Sequence, residues 1–164
     1  MSEPCQLFCS VRKKWIASTP EEKVRQGLLV HMTQNLGYPS GSLALEIILS
    51  QIPHLRHIPS YQIPNRRADL IVLVPRLHPN YSLYPLLLIE CKAIAITTKV
   101  IRQVAGYNQH LQACFIGVAN ENERRVGWQH PVQKDYHFLA ELPPYEILLK
   151  QGRLMYTHIT QTLS

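Results

Sequence analysis

Leu86-Leu87-Leu88-Ile89-Glu90-Cys91-Lys92 is an apolar run that ends abruptly in an acid, one spacer and a base. Consecutive apolar residues of this kind predict a strand in the middle of a sheet, and alternation along it puts Glu90 and Lys92 on one face at its end. A second stretch, Arg66-Arg67-Ala68-Asp69-Leu70-Ile71-Val72-Leu73-Val74, opens with charge and becomes a β-branched, apolar strand. Antiparallel pairing of the two sets Asp69 opposite Glu90, Ile71 opposite Leu88 and Leu73 opposite Leu86, a consistent assignment of faces. Two carboxylates and an ammonium at the rim of a buried sheet need a reason to be there.

Composition bounds that reason. The chain has 164 residues, of which 46% are hydrophobic, enough for one globular domain with a proper core. Lys and Arg outnumber Asp and Glu by 17 to 11, a formal net charge of +6 that favours an anionic partner, although a basic protein without such a partner has the same balance. No run approaches the roughly 18 apolar residues needed to cross a bilayer, and the N-terminus has no signal-type apolar core, so the expected address is cytoplasmic. Cys5, Cys9, Cys91 and Cys114 are scattered, which argues against a disulfide framework.

In chain order, residues 1–11 read as a flexible arm, and residues 12–164 as the single domain. Thr19-Pro20-Glu21-Glu22 combines an N-cap, a proline at the first helical position and a Glu three after the cap, the capping-box pattern. Val24, Leu28, Met32 and Leu36 recur at helical spacing, predicting an amphipathic helix of about 17 residues stopped by Gly37 and Pro39. A short strand interrupted by Glu46 is expected over residues 43–49, then an irregular segment to residue 65. The Asp69 and Glu90 strands are expected to be joined by a long connection over residues 76–84. Thr97 or Thr98 caps a helix with Val100, Val104, Tyr107 and Leu111 on one arc, Lys99 and Arg102 outward, and Gln103 one turn before Tyr107. Cys114 to Val118 reads as a strand parallel to the Glu90 strand, because a helix connects them. Glu121 to Arg125 reads as a charged loop, Tyr136 to Leu139 as a strand, and the segment after Pro143-Pro144 is of undecided type.

Asp at the start of one strand, Glu-x-Lys at the end of the next and a helix on either side resemble the PD-(D/E)xK nuclease superfamily. More narrowly, Lys14-Trp15-Ile16, Thr19-Pro20-Glu21-Glu22-Lys23-Val24-Arg25-Gln26, Gly37-Tyr38-Pro39, Arg66-Arg67-Ala68-Asp69, Ile89-Glu90-Cys91-Lys92-Ala93 and Gln103-Val104-Ala105-Gly106-Tyr107-Asn108 resemble the N-terminal nuclease domain of type I restriction enzyme R subunits. The resemblance implies an α/β, restriction-endonuclease-like αβββαβ core with a mixed central sheet flanked by helices. Ala68 stands where the superfamily signature has Pro. No phosphate-binding Gly-rich Lys-Ser/Thr loop is present, so a translocating motor is not expected within this chain.

The implied activity is Mg²⁺- or Mn²⁺-dependent hydrolysis of phosphodiester bonds, in DNA more than in RNA. Asp69 and Glu90 would supply carboxylate oxygens to a hard divalent cation and the Cys91 backbone carbonyl a third ligand, as the family pattern implies. Lys92 would orient or acidify the attacking water and stabilise charge developing on phosphorus. Gln103 and Tyr107 resemble a Gln-x-x-x-Tyr element that helps hold the site and contacts nucleic acid. Glu22 is a candidate further acid, although its capping-box position is a sufficient structural task, and Glu46 competes for the same role. Arg66, Arg67, Lys99 and Arg102 are candidate phosphate contacts. The alternative function is a non-catalytic nucleic-acid-binding or subunit-docking module of a restriction-like complex.

Overall fold

A computed structural model describes residues 5–161. The order of elements is β1 (Gln6–Cys9), β2 (Lys14–Ala17), α1 (Pro20–Val30), β3 (Leu43–Ile48), β4 (Arg67–His78), β5 (Tyr81–Cys91), α2 (Thr98–Leu111), β6 (Phe115–Ala119), β7 (Arg124–Gln129), β8 (Tyr136–Leu139) and α3 (Tyr145–Gln161). Strands β3 to β8 form one open six-stranded sheet in sequence order. Only the β5–β6 pair is parallel within it, because α2 carries the chain back across the sheet between them. The expected αβββαβ core, a mixed sheet flanked by helices, is thus present from α1 to β6.

Alternation along the central strands divides the core into two layers. Leu70, Val72, Leu87 and Ile89 pack with Leu28 and Leu29 of α1 and Leu148 of α3. Ile71, Leu88 and Ile116 pack with Val100, Val104 and Leu111 of α2, and with Leu49, Ile52 and Leu55 from the turns after β3. Burying β5 on both faces explains its unbroken apolar run, in which Leu86, Leu87 and Leu88 are inaccessible.

Helix α1 begins as the sequence indicates, with the Glu22 amide donating to Thr19 Oγ1 at 3.1 Å. A π turn over His31–Asn35 extends it, and Gly37 follows at a φ of 73°, a conformation glycine adopts without a Cβ penalty.

Several expectations are corrected. Residues 1–4 of the expected arm lie outside the described residues, but Gln6–Cys9 is a strand paired antiparallel with Lys14–Ala17, and Cys9 is fully buried in the α1-side core. The segment 76–84 is not a long connection: β4 and β5 form an extended hairpin that still pairs His78 with Tyr81. The prolines suggested a break, but they are absorbed at register shifts, between Val72 and Leu73 and between Pro75 and His78, with Arg76 at a φ of 55°. The first shift places Leu73 opposite Pro85 rather than Leu86. Arg124 and Arg125 begin strand β7 rather than ending a loop, and the undecided last segment is helix α3.

Candidate active site

The register brings three acids into one row across the sheet. Leu70 pairs with Ile89, so Asp69 and Glu90 fall opposite one another at the next step, as expected. Leu45 pairs with Leu70 and Ile47 with Ala68, which sets Glu46 opposite Asp69 on the other side. Glu46 itself leaves the ladder with a φ of 52°, a left-handed conformation that costs a non-glycine residue roughly 1–3 kcal/mol. The turn aims its carboxylate at the guanidinium of Arg25, 2.7 Å away.

Arg25 rises from α1 on the stripe formed with Leu28, Leu29 and Met32, and is 4% exposed. Its Nη1 donates to Glu22 Oε2 at 2.6 Å, and its Nη2 donates to Asp69 Oδ1 at 3.0 Å as well as to Glu46. Burial opposes its charge, but Asp69, Glu46 and Glu22 outweigh that and hold its pKa above the ordinary arginine value. Glu22 is saturated: Oε1 accepts from Arg12 and from Gln26 Nε2, and Oε2 from Arg25. Its backbone amide fulfils the cap, while its carboxylate turns inward.

Asp69 is fixed from two sides, by Arg25 at Oδ1 and by the Cys91 amide at Oδ2, 2.8 Å away. Glu90 is 6% exposed; Oε1 accepts from Lys92 Nζ at 2.9 Å, whereas Oε2 is buried with no hydrogen-bond partner. Burial and the neighbouring Asp69 charge push the Glu90 carboxyl above its ordinary value, against the pull of Lys92. Lys92 loses some affinity for its proton to burial, but the Glu90 hydrogen bond and the charges of Glu90 and Asp69 more than restore it, so its pKa is raised. Burial, followed by the Asp69 charge, pushes the Cys91 thiol up to about 12, so the sulfur stays neutral and Cys91 serves the site through its backbone.

On the α2 side, Tyr107 accepts at its hydroxyl from Gln103 Nε2 at 3.1 Å and from Arg66 Nη1 at 2.8 Å. The Arg66 guanidinium also lies 5.1 Å from the Tyr107 ring centroid. Arg67, Lys99 and Arg102 are exposed and, among the described residues, hydrogen-bond to none of these side chains.

Arg12, Arg25 and Gln26 escaped the sequence reading. Taking the α1 stripe through Val24 hid a signal: Arg25, Leu28, Leu29 and Met32 follow the same i, i+3, i+4, i+7 spacing, with a cation on the inward face. Nothing local marks Arg12, which reaches Glu22 only because β1 and β2 pair.

Among the described residues, no group of three or more His, Cys, Asp and Glu side chains is disposed to hold a metal ion. Arginines engage Glu22 and Glu46, and Arg25 also takes Asp69 Oδ1, which leaves the unpartnered buried oxygen of the Asp69–Glu90 pair on Glu90. That pair nevertheless suits a cation: an orphaned, buried carboxylate oxygen next to a second carboxylate is the donor set a hard divalent ion satisfies.

The model of one protein family, the type I restriction enzyme R protein N terminus (HSDR_N), matches residues 20–143. The chain belongs to that family. The matched span of this HSDR_N chain contains Glu22, Arg25, Glu46, Asp69, Glu90, Lys92, Gln103 and Tyr107, and leaves out the β1–β2 hairpin with Arg12 and helix α3. No curated protein and no solved structure matches the chain. No helix of the described residues is long and apolar enough to cross a membrane.

Proposed function

We propose that this HSDR_N chain is a Mg²⁺- or Mn²⁺-dependent nuclease of the PD-(D/E)xK type that hydrolyses phosphodiester bonds in DNA. The observation that carries the reading is the buried, half-satisfied Glu90 carboxylate facing Asp69, with Lys92 bound to its other oxygen. Asp69, Glu90 and the Cys91 carbonyl would hold the ion, which when bound supplies an activated water and charge neutralisation at the scissile phosphate.

The remaining tasks belong to this chain's own side chains. The Cys91 amide and Arg25 fix the Asp69 carboxylate, so its orientation does not depend on the substrate. Lys92 has a raised pKa and a side chain 22% exposed; it remains protonated at neutral pH and presents an ammonium to the entering phosphate. It therefore orients the attacking water and stabilises negative charge on phosphorus as a donor. Gln103 and Tyr107 hold Arg66, whose guanidinium suits a flanking phosphate. Arg67, Lys99 and Arg102 extend the basic surface available to the DNA backbone.

The alternative, a nucleic-acid-binding or subunit-docking module without catalysis, draws on the arginines that already neutralise Glu22 and Glu46. DNA binding measured in Ca²⁺ and in EDTA separates the two. The nuclease reading expects binding to tighten about tenfold or more in Ca²⁺, and Asp69→Ala to abolish that gain, because acids repel phosphate unless a cation intervenes. Equal binding in both buffers, unaffected by Asp69→Ala, would favour the module.

A further inference from the structure

Four carboxylates and three cations meet around the row of acids. Arg12 and Arg25 join Glu22, Glu46 and Asp69 in one chain of ion pairs, and the separate Lys92–Glu90 pair stands next to it, with Glu90 opposite Asp69. With every group ionised, the cluster carries one net negative charge. One divalent ion reverses this to a single positive charge, which one phosphodiester cancels. Two divalent ions would leave three positive charges in a largely buried layer, where unbalanced charge is costly. Geometry agrees with this tally. Arg25 occupies Glu22 Oε2, Glu46 Oε1 and Asp69 Oδ1 at 2.6, 2.7 and 3.0 Å, the oxygens a second ion would need, and the orphaned oxygen lies instead on Glu90.

We propose that Arg25 is the second cation of this site: the centre takes one divalent ion at Asp69 and Glu90, and the Arg25 guanidinium, held by Glu22, fills the place of another. This rests on the reading of Asp69 and Glu90 as carboxylates that hold a metal ion. Glu22 and Glu46 are then positioning residues that act through Arg25. Lysine cannot reproduce the planar fork that spans three carboxylates, but it preserves the charge that excludes a second ion.

The test counts Mn²⁺ bound per full-length chain, by electron paramagnetic resonance of the free ion, in the wild type and in Arg25→Met, Arg25→Lys and Glu46→Gln. The wild type and Arg25→Lys should bind one Mn²⁺, and Arg25→Met should gain a second equivalent. Glu46→Gln should leave Mn²⁺ affinity within about threefold, since its carboxylate faces the guanidinium and not the ion. Two equivalents on the wild type would overturn the proposal and leave the metal site itself intact. None on the wild type would overturn both. One equivalent on folded Arg25→Met would also overturn it, because a merely structural arginine changes stability and not the number of ions bound. Should Arg25→Met fail to fold, the wild-type count and the Glu46→Gln affinity decide, a tenfold or larger loss in the latter counting against the proposal.

Discussion

Glu90 shows how much of the site's behaviour is set by a single side chain. Burial and Asp69 raise its pKa above the ordinary glutamate value of 4.5. Between those two values the folded protein holds a proton that the unfolded chain has released, so stability declines as pH rises through that window. In EDTA, the melting temperature should therefore fall with rising pH above about 4.5, and Glu90→Gln, which has no proton to lose, should flatten that part of the profile. Adding Mn²⁺ should restore stability on the high-pH side, where the carboxylate is free to bind it. A wild-type profile in EDTA no steeper than that of Glu90→Gln would contradict this account of the carboxylate. Other residues resisted reading because the fold, and not their place in an element, decides which side chains they meet. The capping-box position of Glu22 was visible, yet its carboxylate is committed to Arg12 and Arg25.

At the scale of elements, the register that matters was legible. Alternation in two apolar stretches was enough to oppose Asp69 to Glu90, since a slip of one residue would expose a core face. Helix α2 was equally legible from its threonine cap and apolar arc. Strand β3 was found with its interruption at Glu46, but a left-handed backbone at an ordinary glutamate has no local signature. The β4–β5 hairpin was misjudged because proline normally ends a strand, and here bulges accommodate it. The β7–β8 edge depends on close approach at Gly127, where an added Cβ would lie 2.6 Å from the His137 carbonyl and 2.8 Å from Phe138 Cδ1. Because the first obstacle is backbone, Gly127→Ala should destabilise the fold by about 1–3 kcal/mol, lowering the melting temperature by about 2–4 °C per kcal/mol. The row of acids lies on β3 to β5, so Mn²⁺ affinity should be unchanged. An unaltered melting temperature would show that β8 moves aside freely.

Across the whole molecule, a formal net charge of +6 includes a core site whose own balance is one charge negative, so the surroundings are more basic still. In the proposed nuclease, a basic exterior would attract the DNA backbone while the acidic centre would accept it only together with a cation, so binding and chemistry would be coupled through the metal ion. The hairpin and α1 contribute to that centre by delivering Arg12, Glu22 and Arg25, the sheet by aligning Glu46, Asp69 and Glu90, and α2 by placing Gln103 and Tyr107. The most direct test is the rate of cleavage of supercoiled, linear double-stranded and single-stranded DNA in Mn²⁺ by wild-type protein and by Lys92→Ala, with folding and Mn²⁺ binding of the variant checked first. The account expects wild-type cleavage that EDTA abolishes, and a loss of about a hundredfold or more in Lys92→Ala while the ion still binds. A wild type that binds Mn²⁺ and DNA without cutting any of the three substrates, or a Lys92→Ala variant that cuts as fast as the wild type, would contradict it.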